Sequence, residues 1–206
     1  MHASRVLFVA RHGETDWNAA SRWQGQTDVP LNARGREQAR ALADVLRGAG
    51  LRSVATSDLA RARATAEIVA AALGLGVGLV DPDLRERHFG CFEGFTREEV
   101  AVRFPEAWAG YLADPGPAVP GGESRDALLA RLLRAAGRVA RDLPEPALVV
   151  MHGGSMRALL APFLPGMPRP SSPAWPLHGI RNGHVYRVVL EDGRVTAAER
   201  LGGEAG

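Results

Sequence analysis

The sequence predicts an α/β three-layer sandwich, with a mostly parallel central sheet, helices on both faces, an inserted lid segment and a C-terminal β-hairpin. Three observations predict it. Short apolar runs alternate with amphipathic runs of helix length, the order of a doubly wound sheet. That alternation breaks from Asp81 to Gly122 and then resumes. The last run, HVYRVVLEDGRVTAAERL, alternates on either side of Asp192-Gly193, a pair suited to a hairpin turn. With 206 residues, of which 46% are hydrophobic, one domain with a sizeable core is expected. Its substrate-specificity insertion covers about 84–122.

The elements follow in order. Val6 to Ala10 is apolar and partly β-branched, as a buried strand requires. Ala33 to Gly48 reads as a helix with Asn32 as N-cap and Leu42, Val45, Leu46 and Ala49 on its apolar stripe. Leu51 to Thr56 is a second strand. Ser57 or Asp58 is then placed to cap a helix running to about Leu73, and Val77 to Val80 is a third strand. Within the insertion, Thr96 to Arg103 reads as a short helix. Ser124 opens a long helix through Arg141, which leads to the strand Leu148 to Met151 and a helix after Gly154. The stretch PGMPRPSSPAWP reads as a loop rather than a linker, because so few residues follow it.

Composition narrows the classes of function. The formal net charge is +2, and the chain has no lysine, so all 25 basic side chains are arginine. They are spread evenly, without the basic run that marks a nucleic-acid partner. Every cation is therefore a planar fork suited to carboxylate or phosphate. No segment approaches the roughly 18–20 apolar residues of a membrane span, and the N-terminal apolar run is too short for a signal peptide. A single cysteine, Cys91, forms no intrachain disulfide. A cytoplasmic location is the expectation, with no membrane partner.

Two apolar strands end in His-Gly. The first runs into Arg11, His12, Gly13 and Glu14; the second, ALVVM, runs into His152, Gly153 and Gly154. Ligands of open α/β sheets bind at the carboxyl ends of strands, so parallel strands bring both imidazoles to one edge. A lone histidine at a strand end is usually a surface or capping residue; two in matched contexts shift the expectation substantially toward a shared site. Arg61 falls in the first turn of the helix after the second strand, where free N–H groups already favour anions. Arg63 reads as solvated. Two arginines, two histidines and a helix start describe a phosphoryl pocket.

In such a pocket imidazole is the natural nucleophile, one nitrogen aimed at phosphorus and the other fixed by a hydrogen bond. Arg11, Arg61 and a protonated His152 would meet the charge on the equatorial oxygens. Gly13 and Gly153 would let backbone approach the anion. An alkoxide leaving group needs a proton. The candidate acid is Glu86, which a bound phosphate would help keep protonated; Glu14, Glu93 and Glu123 are rivals that spacing does not separate from it.

The stretches RHGE at 11–14, QGQTDVPLN at 24–32, SDLARARATA at 57–66, LRERHFGCFEG at 84–94 and VVMHGG at 149–154 together resemble the histidine phosphatase, or phosphoglycerate mutase-like, superfamily. The resemblance spans most of the chain. It implies His12 as the phosphorylated nucleophile, Arg11, Arg61 and His152 as the phosphate pocket, and Glu86 as proton donor. Asn18, Gln24 and Gly25 match positions that line the site in relatives, and no cofactor is implied. The cofactor-dependent mutases carry an arginine pair after a tryptophan in the insertion, whereas Trp108 here is followed by Ala109 and Gly110. Glu93 would also oppose a bisphosphate. Gln24-Gly25 and Asp28-Val29-Pro30-Leu31 are similar to the phosphatase branch. The expectation is therefore hydrolysis of a small phosphomonoester, with the mutase as alternative.

For the rest of the substrate, Arg87 and Arg97 are candidate grips on a second anion. Phe89, Phe92, Phe95, Trp108 and Tyr111 are candidates for the pocket wall, at least half of them expected to be buried packing. Two further readings compete. CFEGFTR, Cys91 to Arg97, has the C-x5-R spacing of cysteine phosphatases, but it follows no strand and contains Glu93. A phospho-ligand-binding domain that has lost catalysis would be expected to lack one of His12, Glu86 or His152. No paired His/Asp cluster with metal-ligand spacing accompanies the histidines, so no metal is expected.

Overall fold

The structure, a computed structural model, describes residues 4–164, 180–191 and 194–202. Its elements are β1 (Ser4–Arg11), α1 (Asp16–Ala19), α2 (Ala33–Leu46), β2 (Ser53–Thr56), α3 (Ala60–Ala72), β3 (Val77–Val80), α4 (Arg97–Arg103), α5 (Pro105–Ala113), α6 (Arg125–Asp142), β4 (Ala147–Met151), α7 (Gly153–Leu160), β5 (Val185–Glu191) and β6 (Arg194–Leu201). The strands form one sheet in the order β3-β2-β4-β1-β5-β6. The first four run parallel; β5 is antiparallel to β1, and β6 to β5.

Strand β4 lies between β1 and β2, although it comes last of the four in the chain. All five of its residues are buried, which is why ALVVM carries no polar alternation. The period of two distributes β1 to both faces. Leu7 and Val9 pack with Leu128, Leu132 and Met156 under α6 and α7; Phe8 and Ala10 pack with Leu42, Leu46, Ala62 and Ala66 under α2 and α3. Each fully buried leucine here contributes about 1.5–3 kcal/mol of transfer free energy.

The helix starts are set by side chains. Asn32 caps α2 by accepting the Gly35 N–H, and Ser124 caps α6 by accepting that of Ala127. In α4 the Thr96–Glu99 capping box satisfies two N–H groups reciprocally. The expected cap of α3 is corrected: its N-cap is Leu59, without a side-chain bond. Asp58 instead pairs with Arg85 at 2.6 Å, and the carboxylate of Asp28 takes the Ala60 N–H at 2.7 Å. The stripe of α2 also shifts, since Val45 is 47% exposed while Ala39 and Ala43 join Leu42 and Leu46 inside.

The insertion carries its own small core of Phe89, Phe92, Val100, Tyr111 and Val119, against which Trp23, Phe95 and Trp108 pack. Helix α5, with Pro105 in its first turn, was not foreseen, because its Gly110 and short length hide the period. Arg22 ties this subdomain down, donating to Glu99 Oε2 and to the Gly94 carbonyl, each at 2.6 Å. The proline-rich loop and the Asp192-Gly193 turn lie outside the described residues. No described helix is long and apolar enough to cross a membrane.

Candidate active site

Because β4 pairs with β1 in register, Arg11 opposite Met151, the residues that follow the two strands leave the sheet side by side. The His12 N–H donates to the Met151 carbonyl at 3.0 Å. The rings of His12 and His152 then stand 5.1 Å apart between centroids. Both are buried, at 3% and 0% exposure. Two imidazoles separated by most of the chain thus share one edge, as the matched motifs predicted.

His12 Nδ1 lies 2.6 Å from the Gly13 carbonyl oxygen, which can only accept. Nδ1 therefore carries the proton and Nε2 keeps its lone pair. Asn182 steadies the same turn, its Nδ2 donating to the carbonyls of His12 at 3.0 Å and Gly13 at 3.2 Å. Burial pushes the His12 imidazolium well below the ordinary histidine range, and the Arg61 and Arg11 guanidiniums push it further. Burial, Arg61, His12 and Arg11 do the same to His152. The expected protonated His152 is corrected for the free protein: the same cations that suit an anion hold this ring neutral.

Arg61 is fully buried. It donates through one terminal nitrogen to the Thr27 carbonyl at 2.8 Å and through the other to Gly25 at 2.7 Å, so it also fastens the 24–27 loop over the site. Burial lowers its pKa and lowers that of Arg11 to about 10. The Nε groups of both arginines and the two ring nitrogens of His152 are buried without a hydrogen-bond partner among the described residues. Orphaned buried groups cost about 1–3 kcal/mol each. Arg11 and Arg61 line one cavity with His12, and their cationic donors there suit an anion.

The four rival carboxylates now separate. Glu86 accepts from the N–H groups of Gly154 at 2.8 Å and Ser155 at 2.9 Å, the first turn of α7, and from Arg87 N–H at 2.8 Å. A Cβ on Gly154 would come within 2.5 Å of its Oε1, so the seat depends on that glycine. Glu14 is held by Asn32, Glu123 by Arg131, and Glu93 by the Gln26 and Thr27 N–H groups. Glu93 thus organises the 24–27 loop, and its carboxylate also acts on the Arg61 guanidinium.

One cavity of about 520 Å³ opens over His12, Arg11, Arg61 and Glu86, whereas His152, fully buried behind His12, is not among the residues that line it. Arg11, His12, Asn18, Gln24, Gly25, Arg61, Glu86 and Gly153 line it, as expected of them. Asn18 Oδ1 is fixed by Thr15 N–H and Asn182, and Gln24 Oε1 by the Thr15 hydroxyl. Arg87 is not brought there. Its guanidinium is buried in the insertion on the carbonyls of Glu123, Pro115, Gly116 and Pro117, which consume its donors. Gly13 is also reassigned, since a Cβ there would strike the Gly35 backbone; it admits α2 rather than an anion.

The same cavity is lined by Arg97 and, from α7, Arg157, which the sequence reading missed. Arg157 follows Gly153 by four positions, one helical turn, and that spacing was the available signal. Of the five candidate aromatics only Phe89 reaches the cavity, joined by the unforeseen Trp23 at a ring distance of 4.6 Å. Cys91 stays outside it, and burial raises its thiol pKa, the opposite of an activated nucleophile. Among the described residues no group of three or more His, Cys, Asp or Glu is placed to hold a metal ion.

Known proteins resemble this chain in sequence and in fold. "Phosphoglycerate mutase-like protein 4" of Arabidopsis thaliana is 41% identical over 161 residues, 74% of this chain and 68% of that protein. The "Metal-independent phosphoserine phosphatase" of the same plant is 40% identical over 158 residues, 74% of this chain and 66% of that protein. The mycobacterial glucosyl-3-phosphoglycerate phosphatase, solved with VO3, superposes with a TM-score of 0.76 at 34% identity, covering 91% of this chain and 97% of that one. The profile of the histidine phosphatase superfamily, branch 1, matches residues 7–201. Fold, paired histidines and sequence similarity converge: the chain belongs to the histidine phosphatase superfamily.

Proposed function

We propose that this protein is a metal-independent phosphomonoesterase that hydrolyses a small phosphorylated metabolite through a phosphohistidine at His12. The observation that carries the reading is the His12 ring, neutral by burial, with Nδ1 committed to the Gly13 carbonyl and Nε2 left with its lone pair beside Arg11 and Arg61. In the first half-reaction Nε2 attacks phosphorus and the P–O ester bond breaks. The leaving alkoxide takes the proton of the Glu86 carboxyl and departs as the alcohol. In the second, water attacks phosphorus, Glu86 takes back a proton, and the N–P bond breaks to release phosphate. Arg11, Arg61 and His152 hold the three equatorial oxygens, where charge builds. A bound dianion makes protonation of His152 favourable.

Relatives of nearly equal similarity carry mutase-like and phosphatase names, so identity alone does not choose. Hydrolysis is favoured because Trp108, Ala109 and Gly110 leave the insertion without the arginine pair of the mutases. Two further guanidiniums of the cavity lining, Arg97 and Arg157, favour a substrate with a second acidic group, and the phosphorylated carboxylic acids in the relatives' names have one. The test is a phosphate-release screen of the purified protein over p-nitrophenyl phosphate, phosphoserine, phosphoglycerates, sugar phosphates and nucleotides. Release from p-nitrophenyl phosphate and from an acidic monoester is expected. Interconversion of 2- and 3-phosphoglycerate faster than phosphate release would restore the mutase.

A further inference from the structure

We propose that Arg131 is a positioning residue for the proton-donating carboxyl, and that it acts without touching the substrate. The inference rests on the assignment of Glu86 as the general acid. Arg131 projects from α6 into the turn that follows β3, 8% exposed and outside the cavity lining. One terminal nitrogen donates to the carbonyls of Asp83 at 2.9 Å and Arg85 at 2.6 Å. The other donates to the Glu86 carbonyl at 2.7 Å and to Glu123 Oε1, while Nε donates to Glu123 Oε2 at 3.0 Å. All five N–H groups are used, which no lysine could reproduce.

The carbonyls it gathers belong to the residues that carry Glu86. Among the described residues the only other side-chain donors on them are Ser155 Oγ on Arg85, at 2.9 Å, and Gln26 Nε2 on Glu86, at 3.2 Å, while the N–H groups of Asp83 and Arg85 bond locally, to Asp81 Oδ1 and the Pro82 carbonyl. Glu86 is thus held from two directions. Its carboxyl rests on the start of α7, and its backbone is gripped by Arg131, itself oriented by the two oxygens of Glu123. Glu123 also accepts the His88 N–H at 2.8 Å, which fixes the chain two residues beyond Glu86. A displaced backbone would carry the carboxyl off Gly154 and Ser155, where a shift of a fraction of an ångström already matters for proton transfer.

A defect confined to general-acid catalysis has its own signature: it grows with the basicity of the leaving group. The experiment compares p-nitrophenyl, phenyl and benzyl phosphates in the parent, Arg131→Met and Glu86→Gln. In Arg131→Met, kcat/KM, which reports only the half-reaction in which Glu86 donates its proton, should fall by roughly 3-fold for the nitrophenyl ester and by about 10²-fold for the benzyl ester, in parallel with a steeper gradient in Glu86→Gln. Equal loss on all three esters, or no loss, overturns the proposal. If Arg131→Met does not fold, Glu123→Gln carries the same comparison with a shallower gradient. A parent inactive on every ester would sink the phosphatase reading alone. A crystal structure of the folded variant then decides: Glu86 still seated on the Gly154 and Ser155 N–H groups overturns the positioning role, and Glu86 displaced from them supports it.

Discussion

The His12 and His152 rings face each other at 5.1 Å, tilted by 59°, because Arg11 and Met151 are register partners in adjacent parallel strands. The two rings are not equivalent. His12 has its tautomer set by the Gly13 carbonyl, whereas neither nitrogen of His152 has a partner among the described residues. A ring with a fixed donor and a free lone pair can attack; a ring with two uncommitted nitrogens can donate once an anion arrives.

That asymmetry predicts which histidine is phosphorylated. Rapid quenching under acid-free conditions with labelled substrate should trap label on His12. His12→Ala should carry none and lose about 10³-fold or more in turnover. His152→Asn should still be labelled, more slowly. Label retained in His12→Ala would move the nucleophile elsewhere.

The neutral histidines also set a pH dependence of stability. Both have pKa values lowered in the folded state from 6.5, chiefly by burial. Above 6.5 folded and unfolded forms bind equal numbers of protons at these sites. As pH falls below 6.5 the unfolded chain takes up protons that the folded one refuses, so stability falls, by up to about 1.4 kcal/mol per pH unit for each ring. Asp58 and Asp83, whose pKa values are lowered from 3.8, contribute stability that is lost only at more acidic pH. Thermal melts between pH 5 and 7.5 should show Tm falling on the acid side. The slope should flatten in His12→Gln and in His152→Asn, and an unchanged slope in both would refute the assignment.

How much of this was legible in the sequence depended on how local each decision is. His12, His152 and Arg11 could be read because a strand, a histidine and a glycine are contiguous, and the fold does the rest by pairing β1 with β4. Arg61 could be read from its place in a first helical turn. Glu86 could not be separated from Glu14, Glu93 and Glu123, because the choice is made by contacts with Gly154 and Ser155 far along the chain. Arg87, beside Glu86 in sequence, belongs to a different environment, and only the carbonyls of 115–117 reveal it. Asn182 had no local signal at all, since it meets His12 only through the β1–β5 pairing.

Arg87 therefore separates a structural cation from a substrate contact. Of its four carbonyl partners, that of Pro115 is buried, and removing the guanidinium leaves it unsatisfied. Arg87→Met should destabilise the protein by about 1–3 kcal/mol, read as a lowered urea midpoint. The effect on KM should be small beside that of Arg61→Met, which also releases the 24–27 loop. A large KM change in Arg87→Met without loss of stability would return the residue to the substrate site.

Two further arginines of the cavity give the prediction with most bearing on specificity. Arg97 and Arg157 line the cavity together with Arg11 and Arg61, and the Arg157 pKa is lowered by burial, raised by Tyr111 and Glu86, and lowered by Arg97. Two guanidiniums brought together in a partly dry site repel, and an anion between them reverses the sign of that energy. A phosphomonoester with a carboxylate should use these two arginines, and p-nitrophenyl phosphate should not. Arg157→Leu and Arg97→Leu should each raise KM for the carboxylate-bearing ester by about 10-fold, on the order of 1–2 kcal/mol for one charge-assisted contact, and leave KM for p-nitrophenyl phosphate within about 2-fold. Parallel changes on both substrates would mean that these arginines shape the cavity as a whole. In that case selectivity would fall to its apolar wall, Trp23 and Phe89.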